Sequence, residues 1–503
     1  MTPSEDLHQL IQSLTMQEKR YFKMFATASY MREGQNNYIR LFDAVEKQKE
    51  YDEEKIKAKF KGETFIKHLP SEKNYLFSLI QKSLRQYHAR ANVDVTIKEL
   101  LIDAEILYEK SLYSHCGKII SKAKKLAYKY ERFTFTPEII RIESRLYDMK
   151  GLDALAEEER VALQKMETIN RYRTLSNKTA QMTASAHHLR KKSELESFDK
   201  FMSNTLLKNE DKADSFTAKI YFFYINGVYH EMKDDLLKSY NFRKRFVEIM
   251  EANPQWMEIH TKNYLPALNN LAISQMALKK FDEMAETIEK IKEISKLKNS
   301  RDEDIQLVCF IFSSILGMNL FIKTGEFDAG LAAVKEVEAG LKRFAGKIHK
   351  QYEIVFNNSI KYIYFGAGEL RKSLQWSNKV INESSPDIRQ DIQAMARIFN
   401  LILHYELGNT DLIEYIIKST YRFLLKSQRL YNVESIVLNY LRKNAYLISQ
   451  KEILESFRKL HKELLPLAKD KFEKKAFEEF DIISWLESKI EKKNIGEVVR
   501  SKI

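Results

Sequence analysis

The feature that most restricts the fold is a recurrence: an apolar run, a short break and a second apolar run return about every 40 residues along a chain of 503. The pattern is plainest in ILYEKSLYSHCGKIISKAKKL (106–126), LAISQMALKKFDEMAETIEKIKEI (271–294), MNLFIKTGEFDAGLAAVKEVEAGL (318–341), YIYFGAGELRKSLQWSNKVI (362–381) and LILHYELGNTDLIEYIIKSTYRFL (401–424). The breaks fall at Ser111, Lys279, Gly325, Gly368 and Gly408. Two residues later come Tyr113, Phe281, Phe327, Leu370 or Thr410, and five later Cys116, Met284, Gly330, Ser373 or Ile413. Antiparallel helices joined by a tight turn approach closely only where one offers little side chain, and a bulky residue after the turn plugs the hairpin end. The same template places breaks at Gly151, Ser193, Asp234 and Ser449, giving nine that stand 40 to 46 residues apart. With only 14 Gly and 7 Pro, the chain lacks the punctuation an all-β fold needs, so the expectation is all-α, with helical hairpins each leaning on its neighbours.

Gly325-Glu326-Phe327-Asp328 with Gly330, Gly368-Glu369-Leu370 with Ser373, and Leu271-Ala272 with Phe281 resemble the tetratricopeptide repeats, over about residues 98–430. Two departures stand out: the period exceeds the roughly 34 residues of that superfamily and approaches the ~40 to 47 of HEAT-type repeats, and the signature Trp of the first helix is missing. Longer helices account for the first. The resemblance implies a right-handed superhelical solenoid of about eight or nine hairpins over residues 96–430, between a small helical N-terminal unit (1–95) and a helical cap (431–503).

In the N-terminal unit, Thr15-Met16-Gln17-Glu18 has capping-box spacing before the helix EKRYFKMFA, and further helices are expected near Tyr38–Phe60 and Ser71–Ala89. A helix-turn-helix is the competing reading, with KNYLFSLIQKSLRQYHAR presenting Lys73, Lys82, Arg85 and Arg90 to DNA. At the other end, one more hairpin is expected in 432–490. FEKKAFEEFDIISWLESKI reads as a terminal cap with a polar outer face, and EKKNIGEVVRSKI as a frayed end.

The net charge of +13 is spread thinly, as +3, +4, +1, +1 and +4 over residues 1–95, 96–200, 201–300, 301–400 and 401–503. Two cysteines, Cys116 and Cys309, make no disulfide framework and no C-x-x-C pair, and Cys116 sits at a packing position. The opening MTPSEDLHQL has no basic region before its apolar residues, so a cytoplasmic protein is expected. Ile305–Ile322 is uncharged for 18 residues but carries Gln306, Ser313, Ser314 and Asn319 and runs into the Gly325 turn, so it is expected to be a helix buried within the stack, with no membrane insertion. Phosphate-cradle, nucleophile-elbow and H-E-x-x-H motifs are missing, and neither His187-His188 nor His230-Glu231 has the i, i+4 spacing that chelates a metal. No enzymatic role, cofactor or metal is therefore expected.

What remains is surface. In the resembled family the first helices line a concave groove, and the matching positions are Tyr221, Tyr224, Asn269, Met276, Asn319, Lys323, Asn358, Tyr362 and Tyr405. Amides can pair with any peptide backbone and tyrosines add apolar area at low entropy cost, so the expected role is a scaffold or adaptor holding a protein or peptide partner. The alternative is a nucleic-acid-associated regulator. Its candidate polyanion contacts are Arg190, Lys191 and Lys192 in an acid-free stretch (168–193), and Lys418, Arg422, Lys426 and Arg429 on one helix face.

Overall fold

The computed structural model describes residues 3–29, 37–88, 93–146, 151–185, 192–259, 261–296, 303–383, 388–444, 449–470 and 473–503. Among the described residues the regular elements are helices, with no strand. They form two compact units, Met1–Met166 and Glu167–Ile503.

The first unit opens with α1 (Pro3–Ser13), α2 (Met16–Ser29), α3 (Asn37–Glu46), α4 (Glu53–Lys59) and α5 (Leu69–His88), which close on a core containing Leu7, Ile11, Phe22, Phe42, Leu76 and Ile80. The capping box is present: Thr15 N–H donates to Glu18 Oε2 at 2.8 Å and Glu18 N–H to Thr15 Oγ1 at 3.3 Å. The single helix expected over Tyr38–Phe60 is two, because Asp52 caps a new start by accepting from Lys55 N–H at 3.1 Å. Lys73, expected on a DNA-facing surface, is instead buried, donating to Glu53 and to the Tyr51 hydroxyl. That bond holds the Glu53 carboxyl down at about 2. Arg90 lies outside the described residues. There follow α6 (Val93–Glu109), α7 (Tyr113–Lys129), α8 (Thr136–Ser144) and the start of α9 (Leu152–Ser185).

The second unit contains the rest of α9, α10 (Lys192–Met202), and then pairs: α11 (Phe216–Met232) with α12 (Leu236–Glu251), and, after the short α13 (Pro254–Ile259), α14 (Thr261–Ala277) with α15 (Phe281–Lys296). Next come α16 (Glu303–Thr324) with α17 (Phe327–Arg343), α18 (Lys350–Gly366) with α19 (Leu370–Ile381), α20 (Gln390–Glu406) with α21 (Thr410–Lys426), and α22 (Asn432–Asn444) with α23 (Gln450–Leu464). Short helices α24 (Lys474–Glu479), α25 (Ile482–Glu491) and α26 (Ile495–Arg500) complete the chain.

The turns explain the recurrence. Ser111, Asp234, Lys279, Gly325, Gly368 and Gly408 all have positive φ, between 57° and 79°. In each the next residue's N–H reaches back five residues, as in Leu112 to Leu107 (2.9 Å), Asp235 to His230 (2.8 Å), Lys280 to Gln275 (2.8 Å) and Asn409 to His404 (2.9 Å). This Schellman closure satisfies the orphan carbonyls of the first helix and reverses the chain within two residues. The small position then fits: Cys116 and Ser373 are fully buried, and Ser373 Oγ donates to Lys361 O at 2.7 Å, as Ser239 Oγ does to Gly227 O at 2.8 Å. Phe327 is buried with Ile360 and Ile363, while Tyr113 is 52% exposed with its ring edge-on to Tyr108 at 5.2 Å.

One expected break fails, at Ser193, and the expected break at Ser449 falls between two paired helices. Ser193 lies inside α10, and from Leu152 the chain runs as one helix to Ser185, so the template lapses over this stretch. Ser449 is the N-cap of α23, between the paired α22 and α23. One helix among the described residues, α16, is long and apolar enough to cross a membrane by length and composition, and here it packs against α14, α15, α17, α18 and α26. The final residues, expected frayed, form α26 with a capping box at Asn494 and Val498 only 3% exposed.

Candidate functional site

The first helices of successive pairs touch in a row, α14 to α16 to α18 to α20 to α22. Against this row and its turns the chain lays its own C-terminal segment. Lys474 pairs with Asp234 at the α11–α12 turn, Lys279 Nζ donates to Lys502 O at 2.8 Å, Lys323 Nζ donates to Glu478 O at 3.1 Å, and Arg500 Nη1 donates to Gly325 O at 2.6 Å. Three consecutive hairpin turns are thus bridged by one strap. The approach at Gly325 is closer than any side chain allows: a Cβ there would stand 2.6 Å from Gly496 O, and its φ of 71° already disfavours other residues.

The apolar anchors are Phe480 and Trp485. Phe480 is stacked on Tyr362 with ring centroids 5.6 Å apart and planes 3° from parallel, with Phe365 and Phe399 edge-on at 5.8 and 4.9 Å. Trp485, 1% exposed, packs edge-on to Phe457 at 5.7 Å and donates its indole N–H to Glu406 Oε1 at 2.7 Å. Lys489 Nζ takes the other oxygen of Glu406 at 2.5 Å.

Under Phe480 lies a polar group of a different kind. Lys361 is fully buried on α18, its Nζ 4.5 Å from the Tyr362 ring centroid and 4.7 Å from that of Phe399, with no hydrogen-bond partner among the described residues. Burial pushes its ammonium down to about 7, and the nearby Glu479 charge only partly opposes this. The Tyr362 hydroxyl and Asn400 Oδ1 are likewise buried and without a partner among the described residues, and burial pushes the Tyr362 hydroxyl far up.

The expected groove residues distribute as follows. Met276 and Lys323 line one cleft of about 510 Å³, shared with Lys279, Lys474, Glu478 and Lys502. Tyr362 is buried beneath Phe480, and the half-buried Tyr405 packs on the same cluster, 6.1 Å from the Phe457 ring. Asn319 and Asn358 are half-buried on α16 and α18, and Asn319 Oδ1 accepts from Ser359 Oγ at 3.4 Å. Asn269 is half-buried on α14; Tyr221 and Tyr224 pack against the cluster of Tyr172, Phe222 and Phe223, away from the C-terminal segment's anchors. Sequence reasoning missed Lys361, Phe399, Asn400 and Glu406. The available signal was a lysine and an amide set in the apolar runs NNSIKYIYFG and RIFNLILHYE.

Of the expected polyanion contacts, Arg190 and Lys191 lie outside the described residues and Lys192 begins α10. Lys418, Arg422 and Lys426 are exposed on α21 and Arg429 is half-buried just beyond it. Lys418 pairs with Glu414 at 2.8 Å, and Lys418, Arg422 and Arg442 border a cleft of about 520 Å³ floored by Ile417 and Leu438. Both thiols are buried, which pushes Cys309 up to about 11 and Cys116 upward. His230 is stacked on Phe242 at 5.4 Å, and among the described residues no three His, Cys, Asp or Glu side chains cluster to hold a metal. No known family model matches the chain, and no curated protein matches it.

Proposed function

We propose that the second unit is a polypeptide-binding module, a scaffold or adaptor without catalytic work of its own that acts in the cytoplasm and holds a segment of a partner protein on its row of first helices. Its plan is the tetratricopeptide one, a right-handed superhelix within an eight- or nine-hairpin chain. The observation that carries this reading is that a polypeptide, the chain's own C-terminal segment, is seated on that row through main-chain carbonyls, aromatic anchors and charged rims. Those are the means by which helical grooves take peptide ligands. The test is selection of a random peptide library on the nuclease-treated full-length protein. Sequences are expected to enrich, and their binding to fall at least about tenfold, roughly one lost charge-assisted bond, in Lys323→Glu or Met276→Glu. Enrichment of nothing, or of peptides indifferent to both changes, would sink the reading.

The second reading is polyanion binding, supported by Lys418, Arg422 and Arg442 meeting at one cleft. Its mark is affinity that falls steeply with salt.

A further inference from the structure

We infer that the patch of α18 and α20 formed by Lys361, Tyr362, Phe365, Phe399 and Asn400 is a recognition site for an acid-then-aromatic helical segment, held in this state by the chain's own Glu479-Phe480 and taken over by a partner segment of the same chemistry. The inference rests on the interaction reading above and names the partner's chemistry.

Two independent observations carry it. First, the patch has an occupant whose form can be read: a one-and-a-half-turn helix, α24, ends at Phe480, whose backbone turns extended (φ −146°, ψ 122°) and drops its ring between Tyr362, Phe365 and Phe399. Glu479, one residue earlier, supplies the negative charge that acts on Lys361. The ring fills the apolar slot, and the fully buried amine beside it, left without a hydrogen-bond partner among the described residues, is the group that a partner's carboxylate would answer.

Second, the occupant fits imperfectly. Lys361 Nζ, the Tyr362 hydroxyl and Asn400 Oδ1 are buried without hydrogen-bond partners among the described residues. A buried amine that makes no hydrogen bond costs free energy whether it stays charged or gives up its proton. A free segment whose carboxylate reaches Nζ gains a bond that the tethered one does not make. The tether compensates by concentration, since a linked segment competes at an effective concentration that reaches the millimolar range. The rest of the strap is differently made: Trp485 has Glu406, Arg500 has Gly325 O, and α26 is capped. Exchange is thus confined to Lys474–Phe480, with Asp481 capping α25, and with α25 and α26 remaining in place.

The experiment uses the full-length protein and a fluorescent synthetic peptide, EKKAFEEFDIISWLESK (473–489), read by anisotropy. Phe480→Ala in the protein removes the tethered ring and is expected to bind the peptide at least tenfold more tightly than the wild type. Changing the peptide's Glu479 to Gln is expected to cost about tenfold against Phe480→Ala and nothing against Phe480→Ala combined with Lys361→Met. Equal, weak binding by wild type and a folded Phe480→Ala, or indifference to Glu479→Gln, overturns the inference. Should Phe480→Ala lose its helical circular dichroism, Lys474→Glu, which breaks only the surface pair with Asp234, carries the same expectation. Failure of this peptide while library peptides still require Met276 and Lys323 overturns the patch and leaves the interaction reading standing.

Discussion

The two halves of the C-terminal segment make opposite bargains with the helices beneath them. From Ile482 to Arg500 each buried polar contact described above is answered: the Trp485 indole by Glu406, Lys489 by the same carboxylate, Gly325 O by Arg500. From Lys474 to Phe480 the apolar fit is equally close, but the groups underneath, Lys361, Tyr362 and Asn400, are left unanswered. Apolar burial is indifferent to direction and tolerates many occupants, whereas a buried amine discriminates sharply among them. The first half is built to stay and the second to be exchanged.

The largest effect should come from the permanent half. Trp485→Ala removes a fully buried ring and leaves Glu406 Oε1 without its indole donor, and should cost about 3 to 5 kcal/mol, read as a fall in the urea midpoint. Retention of the wild-type midpoint would place the anchor elsewhere. Gly325→Ala forces a side chain into a positive-φ turn against the Gly496 carbonyl and should cost roughly 1 to 3 kcal/mol. The same change at Gly368, where a Cβ meets nothing within 4 Å, should carry the turn strain alone and cost less. Equal losses at the two would show that the strap adds nothing to the Gly325 turn.

These contrasts bear on what could be read beforehand. Ser111, Asp234, Lys279, Gly325, Gly368 and Gly408 were legible because a reversal in two residues imposes local demands: a positive φ in every case and, at Gly325 and Gly368, a bulky residue two on and a compact one five on. The template reaches Ser193 only weakly, with the spacing as part of its support, and LDALAEEERVALQKMETINRYRTLSNKTAQMTAS has neither Gly nor Pro to stop a helix, so α9 runs 34 residues. The C-terminal strap was not legible. Its contacts join residues 155, 175 and 223 apart, and no local period encodes which distant face an amphipathic segment chooses. For the same reason Tyr362 and Lys323 were found as first-helix residues while their occupant was read as an outward-facing cap.

In the exchangeable half the sign reverses. Lys361→Met should stabilise the protein by on the order of 1 to 3 kcal/mol at neutral pH, because it deletes a buried amine without deleting a bond. The ammonium sits at about 7 when folded against 10.5 when free, so between those values the unfolded chain alone holds the proton and wild-type stability rises with pH. The gain from Met should therefore shrink as the pH is raised from about 7 toward 10, with Glu479 as the neighbouring charge that acts on the amine. A gain independent of pH would mean that the amine is paired. The smallest effect concerns the basic stripe: reversing Lys418 and Arg422 should leave stability within about 0.5 kcal/mol. If the cleft binds polyanions, this change should lower heparin retention more than reversing Lys290 and Lys292, and equal losses would leave only net charge.

The contrast between the two halves is tested most directly by native-state hydrogen exchange on the full-length protein. The account predicts that the amides of Ala476 and Phe480 open on the order of tenfold or more often than those of Trp485, Ser488 and Val498, in a separate and smaller unit of opening. Equal protection across Lys474–Arg500, lost together in one step, would mean that the segment is a single permanent clasp and would contradict it.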